Sequence, residues 1–358
     1  MVGRCEHLLI DVLGITILAV WCGADDFVAV ETFAVGRRVW LPPFFELPQG
    51  VPAHDTFRRV RGLIDPQQLS ASRVGGTAAL QQTWQGRVIA LDGKTARGSA
   101  SRKKGLRALH LVRAWATEEG LTLGQVAVEE QSHEIPAIPE LLKRLSLKGA
   151  LVTIGARGLP KAIVAQIREQ QADFVIGLKD NPPPLAADMS QLLDAGCRTH
   201  CAELTTDVHT TTEQAHGGTE QREVRVIEIP QESPHRQTWT DLRTLAVVLK
   251  RIERDGRESF ETRFYLSSLL PDPKLLSRVI RSHWGIENSW HWSMDVTFRE
   301  DAHRLLNRHG VQNFSAIRRL AVSMLRRDTT AKIGAKNKRV KAALNPDYIL
   351  NVLQDLQL

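Results

Sequence analysis

An α/β protein is what this sequence predicts, with one mixed sheet, flanking helices and a β-rich insertion, preceded by a small helical domain. Three observations lead there. Apolar residues recur at the spacing of one helix face from about 6 to 80, and the pattern shortens to β-prone runs from Val88 onward. Between 88 and 178 the runs then fall in the order βββαβαβ. The 358 residues suffice for one large domain or two modest ones, and 42% hydrophobic with 24% charged residues excludes a disordered chain.

The N-terminal elements come first. Leu9, Val12, Leu13, Ile17 and Val20 lie on one helix face, and shorter helical segments follow around 28–35 and 56–64. Asp65-Pro66 restarts a helix, because Asp caps and Pro suits the first helical position. Arg58, Arg59 and Arg61 lie on the segment after Gly50-Val51-Pro52, where they face either a DNA backbone or plain solvent.

Strands are expected at 88–91, 107–116 and 121–128, forming a three-strand meander. A helix from about 134 to 145, a strand at 150–154, a helix at 161–171 and a strand at 174–178 complete the βββαβαβ order. That is the order of a ribonuclease H-like domain. Strands at 223–229, 244–252 and 261–267 read as an insertion, spanning about 200–270, before a helix from about 274 to 294. A later helix buries Phe314, Ile317, Ala321 and Met324 and leaves Arg318, Arg319, Arg326 and Arg327 off that face. The organisation is therefore a helical unit at 1–85, a sheet domain at 86–328 and a basic tail at 329–358.

The net charge is +7, and the excess is local. Nine basic residues stand against Asp328 alone between Arg318 and Lys341, which suggests an arm that contacts phosphates. The apolar stretch 8–22 contains Asp11, is too short to span a bilayer and lacks a cationic lead, so a cytoplasmic protein without a membrane partner is expected. Four cysteines make no disulfide framework, and Cys197 and Cys201 around His200 lack a second zinc-spaced pair.

Carboxylates are the candidates for chemistry. Asp92 ends a hydrophobic strand just before Gly93, at the rim where open α/β sheets place their sites. In this fold the 150–154 strand lies beside the first, so its end, Gly155, should approach Asp92. A third acid, Glu287, stands in the run from His283 to Trp292. Converging carboxylates are what a pair of Mg²⁺ ions requires, since hard cations prefer oxygen and two metals serve the attacking and leaving oxygens of phosphoryl transfer.

Three motifs carry a family resemblance: 91–99 (LDGKTARGS), 134–142 (EIPAIPELL), and the 283–292 run (HWGIENSWHW) continuing to Asp301. In this order they resemble the H-repeat-associated insertion-sequence transposases of the DDE superfamily, along essentially the whole chain. The resemblance implies a two-metal enzyme, using Mg²⁺ or Mn²⁺, that nicks transposon ends and joins the 3′-hydroxyl to target DNA. It also implies double-stranded DNA as partner and a homodimer on paired ends. Asp92 matches the first family carboxylate and Glu287 the last.

The second match fails. Where the resemblance places Asp-Ala after Val152-Thr153-Ile154, this chain has Gly155-Ala156 followed by Arg157-Gly158. Pro182 after Lys179-Asp180-Asn181, and His216-Gly217-Gly218, depart from the family pattern as well. One cation would be underliganded, so this copy is expected to be impaired unless Asp180 or Glu134 substitutes.

By the same resemblance and by charge, Lys94 and Arg97 would contact the phosphate near the scissile bond, while Asn288 and His291 would orient Glu287 or the DNA. Arg318, Arg319, Lys332, Lys336, Lys338, Arg339 and Lys341 would bind backbone phosphates. Alternatives are a zinc site on His283, Glu287 and His291, base stacking by Trp284, Trp290 and Trp292, and a DNA-binding remnant that breaks no bond.

Overall fold

The computed structural model describes residues 6–70, 84–128, 136–155, 161–178, 207–215, 218–286 and 293–355. Three helices come first, α1 (Leu9–Trp21), α2 (Phe27–Gly36) and α3 (His54–Leu63). Asp11 survives in the apolar α1 because its Oδ2 accepts the Leu47 N–H at 2.9 Å. Arg61 on α3 is fully buried beneath the Phe314 ring, so it cannot meet a DNA backbone, whereas Arg58 and Arg59 are exposed.

One sheet runs through the molecule in the order β3-β2-β1-β4-β5-β9-β8-β7-β6. Strands β1 (Val88–Ala96), β2 (Leu109–Ala116) and β3 (Leu121–Val128) form the antiparallel meander. β4 (Leu151–Ile154) pairs parallel with β1, and β5 (Asp173–Leu178) parallel with β4. Helices α4 (Ala137–Lys143) and α5 (Lys161–Glu169) make the crossovers. This is the ribonuclease H-like half of the sheet, as expected.

The β-rich insertion does not stand apart. β6 (Asp207–Ala215), β7 (Gly218–Glu228), β8 (Thr244–Arg254) and β9 (Arg257–Ser267) form a meander whose last strand pairs antiparallel with β5, extending the same sheet to nine strands. A short helix, α6 (Pro234–Thr238), links β7 and β8.

Alternation along the strands divides the sheet between two cores. Ile89, Leu91, Val152, Ile154 and Phe174 pack on one face with Leu141, Leu142, Ile163 and Ile167 of the crossover helices. Val88, Leu151, Val175 and Tyr265 face the other way, onto Leu276, Val279 and Ile280 of α7 (Pro273–Gly285). A π-helical turn, Ser293–Thr297, lies between α7 and the long α8 (Arg308–Arg327).

The basic C-terminal segment is not an extended arm. It folds into α9 (Ala335–Leu344) and α10 (Pro346–Asp355), and Tyr348, Ile349 and Val352 join a core with Val12, Ile15, Val30, Phe57 and Phe314. The N-terminal helices and the C-terminal helices therefore share one hydrophobic body. Among the described residues no helix is long and apolar enough to cross a membrane.

Candidate active site

β1 is longer than its apolar run. The parallel pairing with β4 stops at Leu91 opposite Ile154, but β1 continues to Ala96 against β2, with Asp92 opposite Arg113 and Gly93 opposite Val112. Asp92 thus stands not at a strand end but where one neighbour ends and the other continues. Gly155, the residue after Ile154, lies beside it across that step. Strand alternation puts Val88, Ala90, Asp92 and Lys94 on the α7 face, together with Thr153 and Gly155.

A cleft of about 880 Å³ opens there, lined among others by Asp92, Lys94, Gly155, His283, Trp284 and Asp295. His283, near the end of α7, is half-buried, and its Nδ1 lies 2.8 Å from Thr153 Oγ1. Its Nε2 is 3.7 Å from where a Cβ on Gly155 would sit. Burial pushes the imidazole below its ordinary value, and the negative charge of Asp92 opposes this without reversing it. Trp284 closes the wall: its Nε1 donates to Tyr265 Oη at 3.1 Å, and the Arg263 guanidinium stacks 3.6 Å from the ring centroid. That face is already covered by a cation, which leaves it no room to stack a base. Trp290 and Trp292 lie outside the described residues.

The cations expected at the scissile phosphate diverge. Lys94 Nζ is bonded to Asp295 and lies 3.3 Å from Glu300 Oε2, so it faces two carboxylates of its own chain. Arg97 is 81% exposed, with Nε 3.6 Å from Asp301 Oδ2, and remains accessible to a phosphate. Behind Lys94 lies a buried charge cluster. Glu300 accepts from Ser315 Oγ at 2.6 Å and from Arg319 Nη2 at 3.3 Å, with Arg113 Nη2 3.7 Å away. Burial raises the Glu300 carboxyl, but Arg319, Arg113, Lys94 and the Ser315 hydroxyl outweigh it and hold the group well below the usual carboxylate range.

Four expected DNA contacts are corrected by burial. Arg319 belongs to the Glu300 cluster, and Arg318 donates to the Asp25 carbonyl at 2.9 Å while stacking on Phe314. Lys338 Nζ donates to the carbonyls of Leu325 at 2.9 Å and Asp328 at 2.6 Å. Arg339 donates to the Val20 carbonyl at 3.0 Å and to Asp25 Oδ1 at 3.1 Å. These charges clamp the helical body and face no solvent. Lys332, Lys336 and Lys341 are exposed.

Glu287, Asn288 and His291 lie outside the described residues, as do Glu134, Asp180, Cys197, His200 and Cys201. Sequence reasoning missed Arg113, Glu300 and the place of His283 beside Gly155. Arg113 had a visible signal, a charge inside the apolar run Leu109–Ala116.

Among the described residues alone, the donors do not make up the set a pair of magnesium ions needs. Asp92 supplies a carboxylate, Gly155 supplies no side-chain donor, and the group facing Gly155 is an imidazole nitrogen. Asp295 and Glu300 are occupied by Lys94, Arg113 and Arg319. Among the described residues no three His, Cys, Asp or Glu side chains are grouped to hold a metal ion.

Comparison with known proteins gives a consistent result. The transposase DDE domain family matches residues 83–324, and the DDE_Tnp_1-associated family matches residues 2–74. A protein of Escherichia coli O157:H7 named as a transposase, YncI, is 36% identical over 355 residues, spanning 98% of this chain and 90% of its own length. YhhI of Escherichia coli K12, named as an H repeat-associated transposase, is 31% identical over 358 residues, spanning 98% of this chain and 93% of its own. Among solved structures, the piggyBac transposase synaptic complex with hairpin DNA aligns over 97% of this chain and 73% of that one, with a TM-score of 0.44 and 10% identity.

Proposed function

The chain belongs to the transposase DDE domain family, and from that premise we propose that it binds the duplex ends of its own element as a homodimer and that its strand cleavage and transfer are impaired. The observation that carries this is Gly155 beside Asp92: where the family resemblance expects a second carboxylate, the described residues at this step in the sheet supply none. Asp92 and Glu287 take the first and last acidic positions of the motif, Arg97 faces incoming phosphate, and Lys332, Lys336 and Lys341 supply sequence-independent backbone contacts. Lys94 is read as a positioning residue that holds the Asp295 to Asp301 segment against β1.

A DNA-binding remnant that breaks no bond is the limiting case of this reading. What favours it is the unsuitability of the described donors for two hard cations. The test is nicking, in Mg²⁺, of a duplex carrying the flanking ends of the element. The native protein, Gly155→Asp and Gly155→Asp combined with Asp92→Ala are compared. Gly155 has ordinary φ, and a Cβ there meets nothing closer than 3.7 Å, so the new carboxylate has room. Cleavage is expected from Gly155→Asp and from neither of the others. Equal cleavage by the native protein would overturn the proposal of impairment.

A further inference from the structure

The connection between β1 and β2, residues 97–108, carries a charge pattern that the cleft chemistry does not use. No acidic residue stands between Asp92 and Glu118, while Arg102, Lys103, Lys104 and Arg107 fall within six residues. All four are exposed, and among the described residues none of them has an acidic partner. Exposed arginines elsewhere do find carboxylates, Arg87 with Glu118, Arg251 with Glu258 and Arg281 with Glu213. A solvated face of mixed charge would show such pairs, and this cluster shows none.

The cluster is also held in shape. Ser101 and Leu106 exchange both backbone hydrogen bonds, each at 2.9 Å, and a 3₁₀ turn, Arg102–Lys104, closes between them with Gly105 at φ +63°. Below it, Ser99 Oγ donates to the Ala96 carbonyl and accepts from the Leu109 N–H, both at 2.7 Å. Gly98 sits so close to the 299–304 segment that a Cβ there would stand 2.1 Å from the His303 carbonyl oxygen. The ordering entropy is therefore met on folding, and four like charges are kept together against a mutual repulsion that a polyanion would relieve.

We propose that this tongue is a preorganised clamp for the sugar–phosphate backbone of duplex DNA, reading no sequence, with Arg102, Lys103, Lys104 and Arg107 as its contacts. Charge complementarity selects the partner: duplex DNA carries one negative charge per roughly 1.7 Å of its axis, and ammonium and guanidinium groups bind phosphate without touching bases. The place fits as well. Thr95, Arg97 and His110 at the foot of the tongue line the cleft that holds Asp92. The tongue begins past Ala96, four residues beyond Asp92 on β1, about 13 Å away at the rise of a strand. A duplex presenting a phosphate to Asp92 therefore lies against it. The inference rests on reading this chain as a DNA-binding protein and adds a surface to that reading, independent of whether any bond is cut.

Full-length protein and a labelled duplex of random sequence, titrated by fluorescence anisotropy at several salt concentrations, provide the test. Arg102→Gln, Lys103→Gln, Lys104→Gln and Arg107→Gln combined should shrink the slope of log affinity against log salt by about 3 to 4, at about 0.9 for each phosphate no longer neutralised. Lys143→Gln, Lys148→Gln, Arg243→Gln and Lys274→Gln combined remove the same charge from exposed positions outside the tongue and should leave the slope unchanged. In the native protein the duplex should suppress acetylation of Lys103 and Lys104, read by mass spectrometry, and spare Lys143 and Lys148. That measurement needs no variant and is unaffected by folding defects. A slope unmoved by the tongue substitutions, an equal loss in the control, or acetylation of Lys103 and Lys104 indifferent to DNA would each overturn the clamp while the native protein still bound DNA. No binding by the native protein would overturn the clamp and the proposed function together. Failure of Gly155→Asp to nick DNA, with the slope change present, would count against the proposed function alone.

Discussion

Two carboxylate sites sit on one face of β1, and their contrast shows where this fold demands an acid and where it can do without one. Asp92 and Lys94 are two residues apart, so both point toward the α7 side. At the Lys94 end, Glu300 is 5% exposed and meets Lys94, Arg113, Arg319 and Ser315. At the Asp92 end, the cleft is open and one strand ends in Gly155. A charge removed from water demands partners, so the interior cluster is fixed by the fold itself. At the rim water stands in, so a carboxylate can be lost there without unfolding the sheet.

The largest expected effect breaks the interior site. Glu300→Ala leaves Arg113 and Arg319 buried without their anion, while Lys94 keeps Asp295, and should cost about 3–5 kcal/mol in urea denaturation, the usual penalty for breaking a buried pair. Gly155→Asp should stay within about 1 kcal/mol of the native protein, because its Cβ has room and its carboxylate faces the cleft. Comparable losses in both variants would erase the distinction.

Acid sharpens the comparison next. The Glu300 carboxyl titrates lower in the folded state than in the unfolded chain, so its contribution is complete above about pH 4.3 and is lost as pH falls below that value. A second window lies higher. His303, packed against Phe27 and Phe314, is lowered to about 4 by burial and by Arg318. The unfolded imidazole takes up its proton near pH 6.5, so stability should fall as pH drops from about 6.5 to 4. Unfolding free energies measured across this range should lose the upper slope in His303→Phe and the lower one in Glu300→Gln.

Much of this arrangement was legible in the sequence. The apolar alternation of Val88–Leu91 and the βββαβαβ order located the meander, its parallel neighbours and the step beside Asp92. The extension of β1 was hidden because Asp92 and Lys94 look like loop residues, although they occupy alternate positions of a strand paired only on one side. β6 was hidden because it is polar along most of its length, and the β-branched run Thr210-Thr211-Thr212 was its only mark. The Glu300 cluster joins residues some 200 positions apart, and no local pattern announces such a pairing. The basic segment misled for a related reason. A count of charges does not tell an arginine facing phosphate from one stacked on an aromatic ring, as Arg318 is on Phe314 and Arg339 on Phe298.

That ambiguity yields the smallest expected effect, on DNA affinity. Lys336 and Lys341 are exposed on α9, with Lys341 Nζ 4.5 Å from the Tyr348 ring centroid, while Arg339 between them is buried against Thr297, Val20 and Asp25. Lys336→Glu should weaken binding to any duplex alike, and the slope of log affinity against log salt should shrink by about 1 for each phosphate no longer neutralised. Arg339→Lys keeps the charge but cannot span the two carbonyls and Asp25 together, so it should lower the melting temperature while leaving that slope unchanged. If the slope instead fell with Arg339→Lys and stood still with Lys336→Glu, phosphate would be reaching the buried side of α9, and the helical body would have to open on DNA to admit it.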